Sequence, residues 1–212
     1  MINIWEFDPI FNIALRIILT SINEKSNIER SNLAPGFLVA MPQLNDPNFY
    51  KSVVLLLENS EHGSMGLVIN GPLSQNVMAL CETLDIESTE RHRNEKLMLG
   101  GPVSVDRCFI LHEDYLGAQD SLRISPDLYL TYTLDGLIKI LKDDEIKRKI
   151  ILGYAGWSAQ QLEEEIKAGS WLTLEYDPEI IFSNEYDSIW ESCLKRLGIN
   201  PKKLFEGTSS VN

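Results

Sequence analysis

Apolar residues along this chain fall into short runs whose internal spacing changes from one run to the next. Residues 37–41 read as a strand closed by Pro42, and residues 52–57 are almost wholly apolar, as a strand covered on both faces requires. Between them, Asp46 stands before Pro47 where a capping carboxylate and a first-turn proline belong. Gly63 to Gly66 is expected to form a turn, with residues 67–69 as the antiparallel partner and Asn70-Gly71-Pro72 as its end. Residues 74–84 change period: Val77, Leu80, Cys81 and Leu84 lie on one face of a helix. Residues 88–96 are charged and read as a loop. Residues 97–99 lead into the Gly100-Gly101-Pro102 corner, residues 108–111 form a strand ending at His112, and residues 114–121 form a loop. Residues 128–133 alternate as a strand, and Leu134, Leu137, Ile138 and Leu141 then stripe a helix.

The densest stretch follows. Ile150, Ile151 and Leu152 make a buried strand that should end in a tight corner at Gly153 to Gly156. Ser158 and Gln161 have capping-box spacing, which predicts a helix from about Ala159, with Leu162 and Ile166 inward and Gly169 as its stop. Residues 171–174 resume a strand, residues 179–182 read as another, and Ile189, Trp190, Cys193, Leu194 and Leu197 stripe a closing helix stopped by Gly198. At the other end, residues 10–22 are apolar except for Asn12, Arg16 and Thr20, the pattern of an amphipathic helix. That reading divides the chain into an extension with helix and linker (1–33), one α+β domain (34–207) and a disordered tail (208–212). Hairpin-like neighbours early and strand–helix alternation late call for a mixed sheet rather than a doubly wound parallel one.

Four segments carry a resemblance: APGFLVAMPQLNDPNFYKSVVLLLEN (34–59), GSMGLVINGPL (63–73), LGGPVSVDRCFILH (99–112), and LGYAGWSAQQLEEEI running into KAGSWLTL (152–174). In this order they resemble the bacterial YqgE/AlgH family, from about residue 35 to about residue 198. The resemblance implies a bifurcated, largely antiparallel mixed sheet curled into a partial barrel with helices around it. It implies little about activity, for the family is largely uncharacterised and its AlgH branch is named for a genetic link to the regulation of alginate synthesis. Relatives commonly have Cys-Glu-His where this chain has Leu57-Glu58-Asn59, so a catalyst that relied on that thiol or imidazole would be inactive here. Glu58, Asn70, His112, Tyr154, Trp157 and Gln161 match or adjoin the family motifs, and the resemblance makes them the expected lining of any shared pocket.

Charge and composition narrow the functional classes. The formal net charge of −12 disfavours direct nucleic-acid binding and attraction to anionic lipid, which need a basic surface. No apolar run approaches the length of a membrane span, about 20 residues. Cys81, Cys108 and Cys193 are odd in number and without metal spacing, as expected for buried thiols in a reducing cytoplasm. No nucleotide-binding glycine loop and no cofactor motif is present. The glycine corners have two readings, an anion nest or close strand packing. His112, followed by Glu113 and Asp114, has two as well, a general base or a hydrogen-bonded structural histidine. The resemblance to the AlgH branch implies regulation by binding, with an influence on transcription exerted through a protein partner rather than by direct DNA contact, and a homo-oligomer is the other expected association. The alternatives are an enzyme using His112 with a carboxylate, and a structural subunit of an assembly.

Overall fold

The computed structural model describes residues 33–44, 46–117 and 120–206. The amphipathic stretch at 10–22, its linker and the tail at 208–212 lie outside the described residues. Strands β1 (Gly36–Ala40), β2 (Val53–Ser60) and β3 (Gly63–Val68) form an antiparallel meander, with β2 buried along nearly its whole length. The turn at Glu61 and His62 is tighter than expected, and Gly63 to Gly66 already belong to β3. Asp46 accepts a hydrogen bond from the Asn48 amide and caps a 3-10 turn that opens on Pro47, as the sequence indicated.

A second group comprises β4 (Pro72–Asn76), α1 (Val77–Thr83), α2 (Glu90–Asn94), β5 (Lys96–Leu99), β6 (Val103–His112), β7 (Leu122–Ser125), β8 (Leu128–Thr131) and α3 (Leu134–Leu141). Helix α2 lies where a solvated loop was expected. Residues 88–96 contain no apolar side chain to set a helical period, and the inward residue is His92. Strand β9 (Arg148–Ser158) then precedes α4 (Gln161–Lys167), β10 (Trp171–Glu175), α5 (Pro178–Ile181), α6 (Tyr186–Arg196) and α7 (Pro201–Glu206). Residues 179–182, expected as a strand, are instead helical, because Asp177 caps a turn whose first residue is Pro178. The strands form one sheet in the order β10-β1-β2-β3-β9-β6-β8-β7, with β5 parallel to β9 and β4 beside β5. Mixed and largely antiparallel, it curls into a half-barrel with helices around it.

Strand β9 joins the two halves. Its first half lies between β5 and β6, and its second half pairs with β3. The expected stop at Leu152 is therefore replaced by an eleven-residue strand with a kink in its middle. At the kink Gly153 takes φ +71°, a left-handed conformation that a side chain would strain. A Cβ there would stand 2.8 Å from the Gly101 oxygen and 3.1 Å from the Val105 Cα. The left-handed Gly153 reverses the alternation of faces. Ile151 points into the cluster inside the half-barrel, and Ile150 and Leu152 into one under α1 and α3. Beyond Gly153, Tyr154 returns to the inner cluster, while Ala155 and Trp157 enter a third cluster with Leu162 of α4. One strand thereby serves three cores.

Helix α4 starts at Gln161 rather than near Ala159. Ser158 does not cap it: its hydroxyl and its amide both donate to the Gln161 Oε1, each at 3.0 Å, and Gln160 enters the helix at φ +66°. Half of the expected reciprocal pair is thus present. Opposite, Tyr176 just past β10 stacks on Phe37 and reaches the β7–β8 turn. Its hydroxyl donates to the Asp127 carboxylate at 3.0 Å and meets the Ser125 hydroxyl at 2.9 Å, so the two end strands of the sheet order are laced together.

Candidate functional site

The six residues picked out in the sequence go to four places. Asn70 is a splice between strands: its Oδ1 accepts from the Val53 amide at 2.7 Å and its Nδ2 donates to the Lys51 carbonyl at 3.0 Å. Trp157 and Gln161 belong to a cluster around Glu165. Both indoles, Trp157 and Trp171, donate to one Glu165 oxygen, at 3.0 and 2.7 Å, and Gln161 donates to the other. Phe49 packs against both rings.

His112 stands at the far end of β6. It pairs with Arg148, six residues along β9 from Tyr154, a separation of roughly 20 Å at the strand rise. It is fully buried, stacked on Tyr129, with its Nε2 2.8 Å from the Thr131 hydroxyl. That hydroxyl donates in turn to the Asp120 carbonyl. Burial lowers the imidazole pKa, and the Asp114 carbonyl and carboxylate only partly oppose it.

Glu58 and Tyr154 are the pair the fold brings to one face. Glu58 follows a bulge in β2 and lies opposite Met65, which lies opposite Gly156. Tyr154, two residues before Gly156, has the same orientation. Its ring leans over Gly156, where a Cβ would be 3.3 Å from the Tyr154 Cε2, and its edge meets Phe109. Gly156 is exposed, Tyr154 half-buried and Glu58 buried, so this face runs from solvent into the half-barrel. Burial raises the Tyr154 phenol pKa, and the charge of Arg107 opposes the rise.

Arg107 and Val105 escaped the sequence reading. Between Val103, opposite Tyr154, and Cys108, opposite Leu152, β6 carries a multi-residue bulge that presents Val105 at 53% exposure. Nothing in the run Val103-Ser104-Val105-Asp106-Arg107 marks that bulge, which exists because β9 kinks beside it. The Gly100-Gly101 corner is settled as close packing: a Cβ on Gly101 would be 2.3 Å from the Tyr154 carbonyl carbon, and the Gly100 amide donates to Leu152. Cys81, Cys108 and Cys193 are buried and free, and burial raises each thiol pKa, to about 12 for Cys108 and about 11 for Cys193. Among the described residues no three His, Cys, Asp or Glu side chains gather as metal ligands. No helix among them is long and apolar enough to cross a membrane.

The half-barrel split by a kinked β9, with Glu58 and Tyr154 on one face, defines a class to which comparison gives a family. Residues 37–202 match the AlgH-like family model, and the chain belongs to that family. It is 45% identical over 178 residues to a UPF0301 protein of Myxococcus xanthus, covering 83% of this chain and 97% of the relative. A UPF0301 protein of Vibrio cholerae is 40% identical, over 82% of this chain and 96% of its own. Among solved structures, the AlgH protein of Pseudomonas aeruginosa superposes with a TM-score of 0.69 at 36% identity, covering 89% of this chain and all of that one. Protein DIP2367 of Corynebacterium diphtheriae, at 21% identity and TM-score 0.64, shares the fold.

Proposed function

We propose that this protein acts by binding, as a cytoplasmic regulatory protein that works through a protein partner. The observation that carries the reading is the composition of the face around Tyr154. Half-buried Tyr154 leans over exposed Gly156 and feels the charge of Arg107, and exposed Val105 stands beside Gly153 on the neighbouring β6 bulge. Aromatic and arginine side chains with an apolar neighbour are the residue types enriched where partners dock. The same face offers no activated nucleophile. His112, the base of the alternative enzyme reading, is buried at the far end of β6, and the Cys108 and Cys193 thiols are held protonated by burial. The relationship to AlgH, whose name carries a link to regulation, supports the regulatory part. The net charge of −12 favours action through a partner over direct contact with DNA. Free buried cysteines fit a reducing compartment.

Affinity capture from the native cell extract with the wild type, Val105→Asp and Tyr154→Ala checks this. The expected result is one partner retained by the wild type and lost by both variants, with melting temperatures within a few degrees. Retention by both variants, or a turnover abolished by His112→Ala, overturns it.

A further inference from the structure

Helix α2 is capped by a histidine. The Thr89 hydroxyl accepts from the His92 amide, and the Thr89 amide donates to the His92 Nδ1 at 3.0 Å, so both halves of a capping box are present. A capping box ordinarily has Glu or Gln at the third helical position, an acceptor that keeps its lone pairs at neutral pH. Here the acceptor is an imidazole. A backbone amide can only donate, so Nδ1 must be bare and the ring proton must lie on Nε2. His92 is fully buried, and Nε2 is without a hydrogen-bond partner. The nearest anion is Asp144 Oδ1, at 3.7 Å, beyond hydrogen-bond reach.

The geometry points to α2 as an acid-released element with His92 as its proton sensor. A second proton can enter the ring only at Nδ1, where it confronts the Thr89 N–H and breaks the imidazole half of the cap, leaving only the longer bond from the His92 amide to the Thr89 hydroxyl. The resulting imidazolium is drawn to the Asp144 carboxylate, which is 40% exposed and stands on the other side of the ring. Neutral and charged rings therefore prefer different partners, the Thr89 amide and Asp144.

The charged surroundings come from every neighbouring element. On α2 itself Arg93 pairs with Glu90, and Arg91 pairs with Glu95 and donates to the Ile146 carbonyl. From β9, Arg148 holds Glu95 through bidentate bonds and lies 3.7 Å from Asp144. From the loop after α3 come Asp144 and, beside it, Asp143, whose carbonyl accepts from Arg148. From α1 comes Cys81, whose thiol feels Arg148, Glu95 and Asp144. Strand β4 brings no titratable side chain, only Asn76, which donates to the Arg93 carbonyl. Arg148 and His92 thus compete for Asp144, while Glu95 is already taken.

Release of α2 reaches further than its own turn. The Val77 amide at the start of α1 donates to the Glu95 carbonyl, directly after α2. Acidification is therefore read out over both helices that cover the β4–β5 side of the sheet.

The test is amide hydrogen exchange of the full chain between pH 8 and pH 5, corrected for intrinsic exchange, in the wild type and in His92→Gln. Glutamine keeps an acceptor at the capping position and has no proton to gain. The wild type should lose protection in residues 90–95 by roughly fivefold or more, the equivalent of a typical cap. His92→Gln should hold it constant. An equal loss in both, or none in the wild type, overturns the inference. Asp144→Asn supplies a second arm should the glutamine variant fail to fold: removing the destination carboxylate should move the wild-type transition to lower pH, and an unmoved midpoint overturns it equally.

Discussion

Glu165 shows how much one surface-looking side chain can hold. It sits among three consecutive glutamates that read as a solvated helix face, yet one of its oxygens receives both indole N–H groups of a buried aromatic trio. Removing it leaves two buried donors without acceptors, and each such group costs about 1–3 kcal/mol. Glu165→Ala should therefore be clearly destabilising in denaturant unfolding, while Glu164→Ala, on an exposed position of the same helix, should change stability by less than about 0.5 kcal/mol. Trp171→Ala should cost roughly 3–5 kcal/mol as a large buried aromatic. Ser158→Ala, whose hydroxyl only supplements an amide bond to Gln161, should cost less than about 1 kcal/mol. Similar costs for Glu165→Ala and Glu164→Ala would show that the indole bonds contribute nothing net.

At the scale of elements, apolar period located most of the sheet and failed where backbone or charge broke it. β2, α3 and α6 were legible because one face of each is continuously apolar. α2 was not, because its buried residue is a histidine between Arg91 and Arg93, although threonine three residues ahead of it is a capping spacing. β9 read as a strand and a corner because Gly153 looks like an end. Only the partner strands reveal it as a kink. Of the candidate site, Glu58 and Tyr154 were visible through motif resemblance. Arg107 and Val105 were not, since their exposure follows from a bulge that answers that kink. Gly153→Ala tests the kink. A left-handed φ and three backbone contacts at 2.8–3.1 Å leave no room for a methyl group, so the loss should exceed about 2 kcal/mol. A variant with wild-type stability would show that β9 can straighten without cost.

Across the whole molecule, Lys149 fastens the half-barrel to its helical cover. Buried in β9, it donates to the Ile69 carbonyl at the end of β3 and to the Ser183 carbonyl before α6, and faces the Tyr186 ring. Burial lowers its pKa from 10.5 to about 7, and a neutral amine still has two hydrogens for the two carbonyls. Between those values the unfolded chain keeps a proton that the folded chain has shed, so stability rises with pH, by at most about 1.4 kcal/mol per unit. The three thiols act in the opposite sense above about pH 8.5, where they ionise only when unfolded. The clean window is therefore pH 7 to 8.5. Denaturant midpoints should climb across it in the wild type and show a shallower slope in Lys149→Met. Parallel slopes would mean that the ammonium stays charged inside the fold.

The position of β9 in the chain has a consequence for biosynthesis. Its partners β3, β5 and β6 all precede it, and it supplies Ile151, Ile150 and Trp157 to three different clusters. A nascent chain can assemble the β1–β2–β3 meander early, but the cluster under α1 and α3 is complete only after Leu152, and the other two need Trp171 and the residues of α6. Until then the apolar faces of β2, β3 and β6 pack only against the earlier members of their clusters. The interval between synthesis of β3 and of β9 is accordingly the period in which unpaired strand edges are most exposed to misassociation, and such long-range pairing slows folding even when the chain is complete.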